Sequence, residues 1–127
     1  MARIFLDANK IIHTADKHGV QLADHYKSHA LVASPLSMHI LCYLSKKKLP
    51  DLKLEKFVAQ LHLEAIDQEM TDQALQGPTD DFEDNIQLHS AARAKCEYFL
   101  TNDQELLKLK FFGEAAIVSE VPPKTDN

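Results

Sequence analysis

Short apolar runs alternate with amphipathic stretches along this 127-residue chain, and that alternation constrains its fold more than any other feature. The runs Arg3–Leu6, His29–Ala33, part of Leu61–Ile66, Glu97–Leu100 and Ala115–Ser119 predict strands. Helical periodicity fills the gaps: Lys10–His18 closed by Gly19, then Val20–Tyr26, Gln68–Leu75 ahead of Gly77-Pro78, and Gln104–Lys110. Ser34-Pro35 offers an N-cap and a first-turn proline for a helix reaching Lys48, with Leu36, Ile40, Tyr43 and Leu44 on one face. Pro50-Asp51 restarts the chain into a helix carrying Leu54, Phe57, Val58 and Leu61, and Thr79–Asp81 caps a long helix that runs to Lys95. Strands separated by helices need crossovers, so the expected fold is α/β: a three-layer α/β/α sandwich on a mainly parallel sheet. Residues 1–121 would form this one domain and residues 122–127 a flexible tail.

A net charge of −5 excludes a generic basic nucleic-acid binder. Local basic clusters remain at Lys46-Lys47-Lys48, at Arg93 and Lys95, and at Lys108 and Lys110, each fitting a solvated helix C-terminus. Cys42 and Cys96 form no C-x-x-C pair, which predicts two reduced, buried thiols in a cytosolic protein. With no evident signal peptide and no apolar run near the ~18 residues of a membrane span, a soluble cytoplasmic protein without membrane contact is expected.

Chemistry enters at the ends of the apolar runs. The first strand runs straight into Asp7, and in an α/β sheet that position projects into the crevice at the carboxyl edge, where ligands bind. Asp84 opens the long helix, in a column with Leu88 and Ala91, and Asp103 follows the fourth strand. Three acids at such ends suit a hard divalent cation, which takes oxygen ligands. Each also has an ordinary structural use: Asp84 as a first-turn helix acid, Asp103 as an N-cap.

The segments "IFLDANKII", "DFEDNIQLHSAARAKCEYFLTNDQEL" and "AAIVS" resemble the PIN domain, a metal-dependent ribonuclease fold found in many bacterial toxins of toxin–antitoxin pairs. The pairing of "DFEDNIQLHSA" with "FLTND" is the most specific part, and the resemblance covers nearly the whole chain. It implies an endoribonuclease that hydrolyses single-stranded RNA with a water activated by Mg²⁺ or Mn²⁺. It also implies an antitoxin partner and a homodimer. Asp7, Asp84 and Asp103 match the family's acids and would hold the metal; Asn9 and Thr101 match supporting polar residues, and Glu83 or Asp81 could assist from the neighbouring turn.

One departure bears on activity. Many such nucleases carry a further Glu early in the helix after the second strand, whereas here no Asp or Glu occurs between Asp24 and Asp51, and Ile40 stands near that place. The alternative function is therefore a non-catalytic PIN-like module that binds RNA or protein. If the site is active, the missing carboxylate favours Mn²⁺ over Mg²⁺. The seven histidines form no zinc-ligand pattern and are expected to be ordinary surface or half-buried residues, although His13 and His39 lie where they could face the cleft. A dehalogenase-like phosphatase would need an acid where Asn9 stands, the receiver-domain acid order is missing, and three glycines build no phosphate loop.

Overall fold

The computed structural model describes residues 1–17 and 25–123, with the side chains of residues 13–17 outside the description. The expected Val20–Tyr26 helix, the side chain of His13 and the end of the tail thus lie largely outside the described residues. The described elements are β1 (Arg3–Leu6), α1 (Ala8–Lys17), β2 (Ala30–Ala33), α2 (Pro35–Leu44), α3 (Leu52–Val58) and β3 (His62–Leu63), followed by α4 (Gln68–Gln76), α5 (Phe82–Arg93), β4 (Tyr98–Leu100), α6 (Gln104–Leu109), β5 (Phe111–Phe112) and β6 (Ala115–Val118).

The strands form one sheet in the order β3-β2-β1-β4-β6-β5, parallel throughout except for β5, which runs antiparallel to β6. The central strands are apolar on both faces because helices cover both. Side-chain alternation sends Ile4 and Leu6 to one face, where they meet Ile11 of α1, Leu41 of α2 and Phe57 of α3. It sends Phe5, Val32 and Phe99 to the other, against Leu88 and Ala91 of α5 and Leu106 of α6. Phe5 and Phe99 stack across the β1–β4 pair with ring centroids 5.2 Å apart. A smaller cluster of Met70, Ala74 and Ile86 joins α4 to α5, with Leu36 packed against it.

The expected sandwich is present, and several boundaries move. The Asp7 carbonyl accepts the amides of Lys10 and Ile11, so α1 begins directly on the end of β1, two residues before the expected start. The second long helix ends at Leu44, short of Lys48, because Ser45 caps it and Lys46 takes a left-handed φ of 50°. Its buried face is also different. Ser37 and Leu41, one turn apart, meet the core, while Leu36 and Ile40 are half-buried and Tyr43 and Leu44 stand 74% and 61% exposed. A left-handed residue, Lys95 at φ 55°, likewise follows the end of α5 at Arg93, two residues early. The unforeseen β5 is a two-residue strand turned back by Gly113, whose φ of 59° suits a residue without a Cβ. Cys96 is buried but Cys42 only half-buried, which corrects the expectation of two buried thiols. No described helix is long and apolar enough to cross a membrane.

Because Phe99 is fully buried and stacked on Phe5, Phe99→Ala should lower the free energy of unfolding by ~3–5 kcal/mol. Urea titration monitored by circular dichroism tests this. A loss under ~1 kcal/mol would show that the β1–β4 pair is not the centre of the core.

Candidate active site

Parallel pairing places the ends of β1 and β4 side by side, with Leu6 in register with Leu100. The residues that follow them, Asp7 and Thr101, therefore meet at the carboxyl edge of the sheet. Asp7 donates its amide to the Leu100 carbonyl at 3.0 Å, and Thr101 donates its own to the Val118 carbonyl at 3.0 Å. Thr101 Oγ1 donates to Asp7 Oδ2 at 2.5 Å, both side chains being buried. The same hydroxyl oxygen accepts the Asp103 amide at 3.0 Å. A short relay thus ties Asp103, Thr101 and Asp7 together.

Asp103 is the N-cap of α6, accepting the amides of Glu105 and Leu106 through Oδ1 at 2.8 and 3.3 Å. The ordinary structural use is therefore real, and it leaves the second carboxylate oxygen outside the cap bonds. Asp84 lies in the first turn of α5, its amide bound by the N-cap Asp81 at 2.9 Å. Leu88 and Ala91 below it are buried, as the inward column predicts.

Two carboxyls carry the electrostatic signature of a crowded acidic edge. Asp84 is pushed up to about 7, first by burial and then by the negative charges of Asp81, Asp7, Asp103 and Glu83. Asp7 is also raised, again chiefly by burial. Hydrogen bonds from Thr101, the Ala8 amide and Gln87 work against that rise, and the Asp103 charge adds to it. All three sequence-selected acids therefore act on one another. Among the described residues, however, no three His, Cys, Asp or Glu side chains stand close enough to grip one ion together. By donor type the residues fit a hard dication: clustered carboxylate oxygens, of which Mg²⁺ needs only one or two directly, with waters for the rest.

The other expected participants divide. Thr101 is in place; Glu83 is exposed and acts on Asp84 as a like charge; Asn9 is exposed in the first turn of α1. His39 is exposed and stacks on Tyr43 rather than facing the acids. Arg93, from one of the basic clusters, forms a bidentate pair with Asp67, both contacts at 2.9 Å. Sequence reasoning missed Gln87 and Ser37, both buried. Gln87 Oε1 accepts the Ala8 amide at 2.7 Å, and the Ser37 hydroxyl lies 3.5 Å from the same oxygen. Their signal was the position of each on the inner face of its helix: Gln87 one turn beyond Asp84, Ser37 one turn before Leu41. A crevice of about 390 Å³ opens beside the same turn of α5, lined by Thr79, Asp80, Phe82 and the end of α4, but none of the three acids lines it.

The fold matches solved structures whose sequences are distant. One is VapBC2 from Rickettsia felis bound to a DNA fragment from their promoter, with a TM-score of 0.65, 17% identity, and coverage of 92% of this chain and 99% of that one. Another is DNA-bound VapBC from Salmonella typhimurium, with a TM-score of 0.64, 20% identity, and coverage of 93% and 98%. No family model matches the chain, and no curated protein does. At these identities the likeness is one of fold: an α/β sandwich with a mostly parallel six-stranded sheet.

Asp84 supplies a pH test. Its folded-state value of about 7 lies above the ordinary carboxylate value of the unfolded chain. The folded state thus keeps a proton that the unfolded state releases, and this contribution to stability, present below about pH 4, is lost as pH rises to about 7. In chelator, Asp84→Asn should remove that decline and stabilise the protein at pH 8, by about 1 kcal/mol after allowing for solvent screening of a half-exposed group. Urea titrations of both proteins across the range decide it; equal pH slopes would show that Asp84 titrates normally.

Proposed function

We propose that the protein is a PIN-type, metal-dependent endoribonuclease that hydrolyses single-stranded RNA, and that it is the toxin of a toxin–antitoxin pair. The observation that carries this reading is the acidic edge, where the charges of Asp7 and Asp103 bear on Asp84, and that of Asp103 on Asp7, at the end of a sheet whose fold matches VapBC structures. Carboxylates alone would repel a phosphodiester, so such an edge suits RNA only with a cation between them.

Asp7, Asp84 and Asp103 would hold Mg²⁺ or Mn²⁺. When bound, such an ion supplies a water of lowered pKa and positive charge against the phosphate. Thr101 keeps the Asp7 carboxylate in one orientation and fixes the Asp103 backbone in the same relay. Burial of Asp7 at 2% exposure excludes bulk water from its inner side. The protonated share of Asp84 near neutral pH makes binding of a cation there compete with a proton, so activity should rise with pH through about 7. The VapBC structures contain bound DNA and are named as two-component assemblies, which supports an antitoxin as this chain's partner. The second reading, a non-catalytic module, is favoured by half-buried Ile40 at the place of the absent Glu and by the lack of a three-ligand cluster among the described residues.

A panel of single-stranded RNAs incubated with Mg²⁺ or Mn²⁺ distinguishes the two. Wild type should cleave, with Mn²⁺ the better activator, and Asp84→Asn should lose roughly 10²-fold or more, as expected when several kcal/mol of transition-state stabilisation depend on the metal. Equal cleavage by the variant would place the activity elsewhere. Absence of both cleavage and Mn²⁺-induced thermal stabilisation in wild type would favour the module.

A further inference from the structure

Gln87 is a buried polar side chain at the acidic edge that the proposed reaction does not itself use. Its carboxamide oxygen accepts the Ala8 amide at 2.7 Å, the peptide group immediately after Asp7, and lies 3.5 Å from the Ser37 hydroxyl. Its amide nitrogen is the one donor its side chain has, and the side chain favours the ionised form of the Asp7 carboxylate. We propose that Gln87 is a positioning residue, a neutral clasp that sets the direction of the Asp7 carboxylate and its separation from Asp84, and thereby how that pair takes up a divalent cation. The inference rests on the metal-dependent reading of the site.

Geometry and chemistry both point this way. Asp84 and Gln87 are three residues apart on α5, so they lie on neighbouring positions of one helix face. A rigid helix turn that carries one acid thus reaches across to hold the other, and the contact to Ser37 adds α2 to the same point. Thr101, just after β4, grips the Asp7 carboxylate, and Gln87 of α5 holds the peptide group that follows it, so the acid is fixed from two elements. A buried carboxylate needs such donors to stay ionised. A lysine or arginine would supply them but would cancel the charge that attracts a metal. A glutamate would accept from Ala8 yet repel Asp7. A neutral amide is the side chain that accepts from the backbone, donates to the carboxylate and leaves the net charge of the edge unchanged. Partners of this kind orient metal ligands without touching the ion.

The test compares the full-length wild type with Gln87→Met, Gln87→Glu and Leu88→Ala. Methionine has nearly the length of glutamine but no amide, and Leu88→Ala removes core packing on the adjacent position of α5 without touching Asp7. Two quantities are measured: Mn²⁺ affinity by calorimetry, and hydrogen exchange at the Ala8 amide in metal-free buffer. Gln87→Met should weaken Mn²⁺ binding roughly 10–100-fold, in the range for residues that orient metal ligands, and should speed Ala8 exchange. Leu88→Ala should melt at least as low yet keep its affinity within about threefold of wild type, which separates orientation from loss of stability. Gln87→Glu should keep Ala8 protected and alter Mn²⁺ affinity, because it retains the acceptor and loses the donor. Equal Mn²⁺ affinity in wild type and Gln87→Met, an equal loss in Leu88→Ala, or unchanged Ala8 exchange in Gln87→Met would each overturn the proposal. A wild type that binds no Mn²⁺ overturns the metal-dependent reading and the cation-setting role with it; faster Ala8 exchange in Gln87→Met would then leave Gln87 as a clasp of the fold alone.

Discussion

The Thr101 hydroxyl meets the Asp7 carboxylate at 2.5 Å across 94 positions of sequence, and that contact exists only because β1 and β4 lie side by side in parallel register. The apolar bodies of the two strands, with Phe5 stacked on Phe99, supply the burial that holds them together. Their polar ends are then forced into one another's company at the edge of the sheet. Core and site are consequences of one pairing: a shift of β4 by one residue would turn Phe99 to the opposite face of the sheet, away from Phe5, and carry Thr101 away from Asp7.

Negative charge gathered at that edge opposes folding, and the structure manages it in two ways. Asp7, the most buried of the acids, is given neutral hydrogen-bond donors from Thr101, Ala8 and Gln87. Asp84, with more access to solvent, shifts toward the protonated form, to about 7. The donors orient the Asp7 carboxylate and oppose the rise that burial imposes, while Asp84 is left as a group whose charge responds near neutral pH. A dication would relieve both, since it supplies positive charge directly against the carboxylates.

Elsewhere charge is used structurally. Asp51, Asp67, Asp81 and Asp103 all cap helices by accepting first-turn amides, and Asp67 also holds Arg93. Capping and chemistry overlap only at Asp103, whose cap contacts pass through one oxygen while its amide joins the Thr101 relay. The exposed Tyr43 and Leu44 show the limit of reading a helix face from apolar spacing: four apolar residues at helical spacing outlined a stripe, yet the turn carrying Ser37 and Leu41 is the one that meets the sheet.

Local rules sufficed for the class of fold and for most elements. Period-two apolar runs, the Ser34-Pro35 start and the Asp81 cap act over a few residues, so composition and spacing encode them directly, and the three acids stood out because each follows or opens such an element. The ends of α2 and α5 were not legible, since lysines at Lys46 and Lys95 adopt left-handed backbone that their identity does not announce. Nor was the antiparallel β5, too short to carry a period. Which polar residues surround Asp7 was decided by tertiary structure alone. Gln87 and Ser37 are ordinary helix residues in sequence; Gln87 comes to the peptide group beside Asp7, and Ser37 to Gln87, only when α2 and α5 pack at the same edge of the sheet. Hydrogen bonds between distant elements depend on register and packing angle, quantities that no local pattern contains.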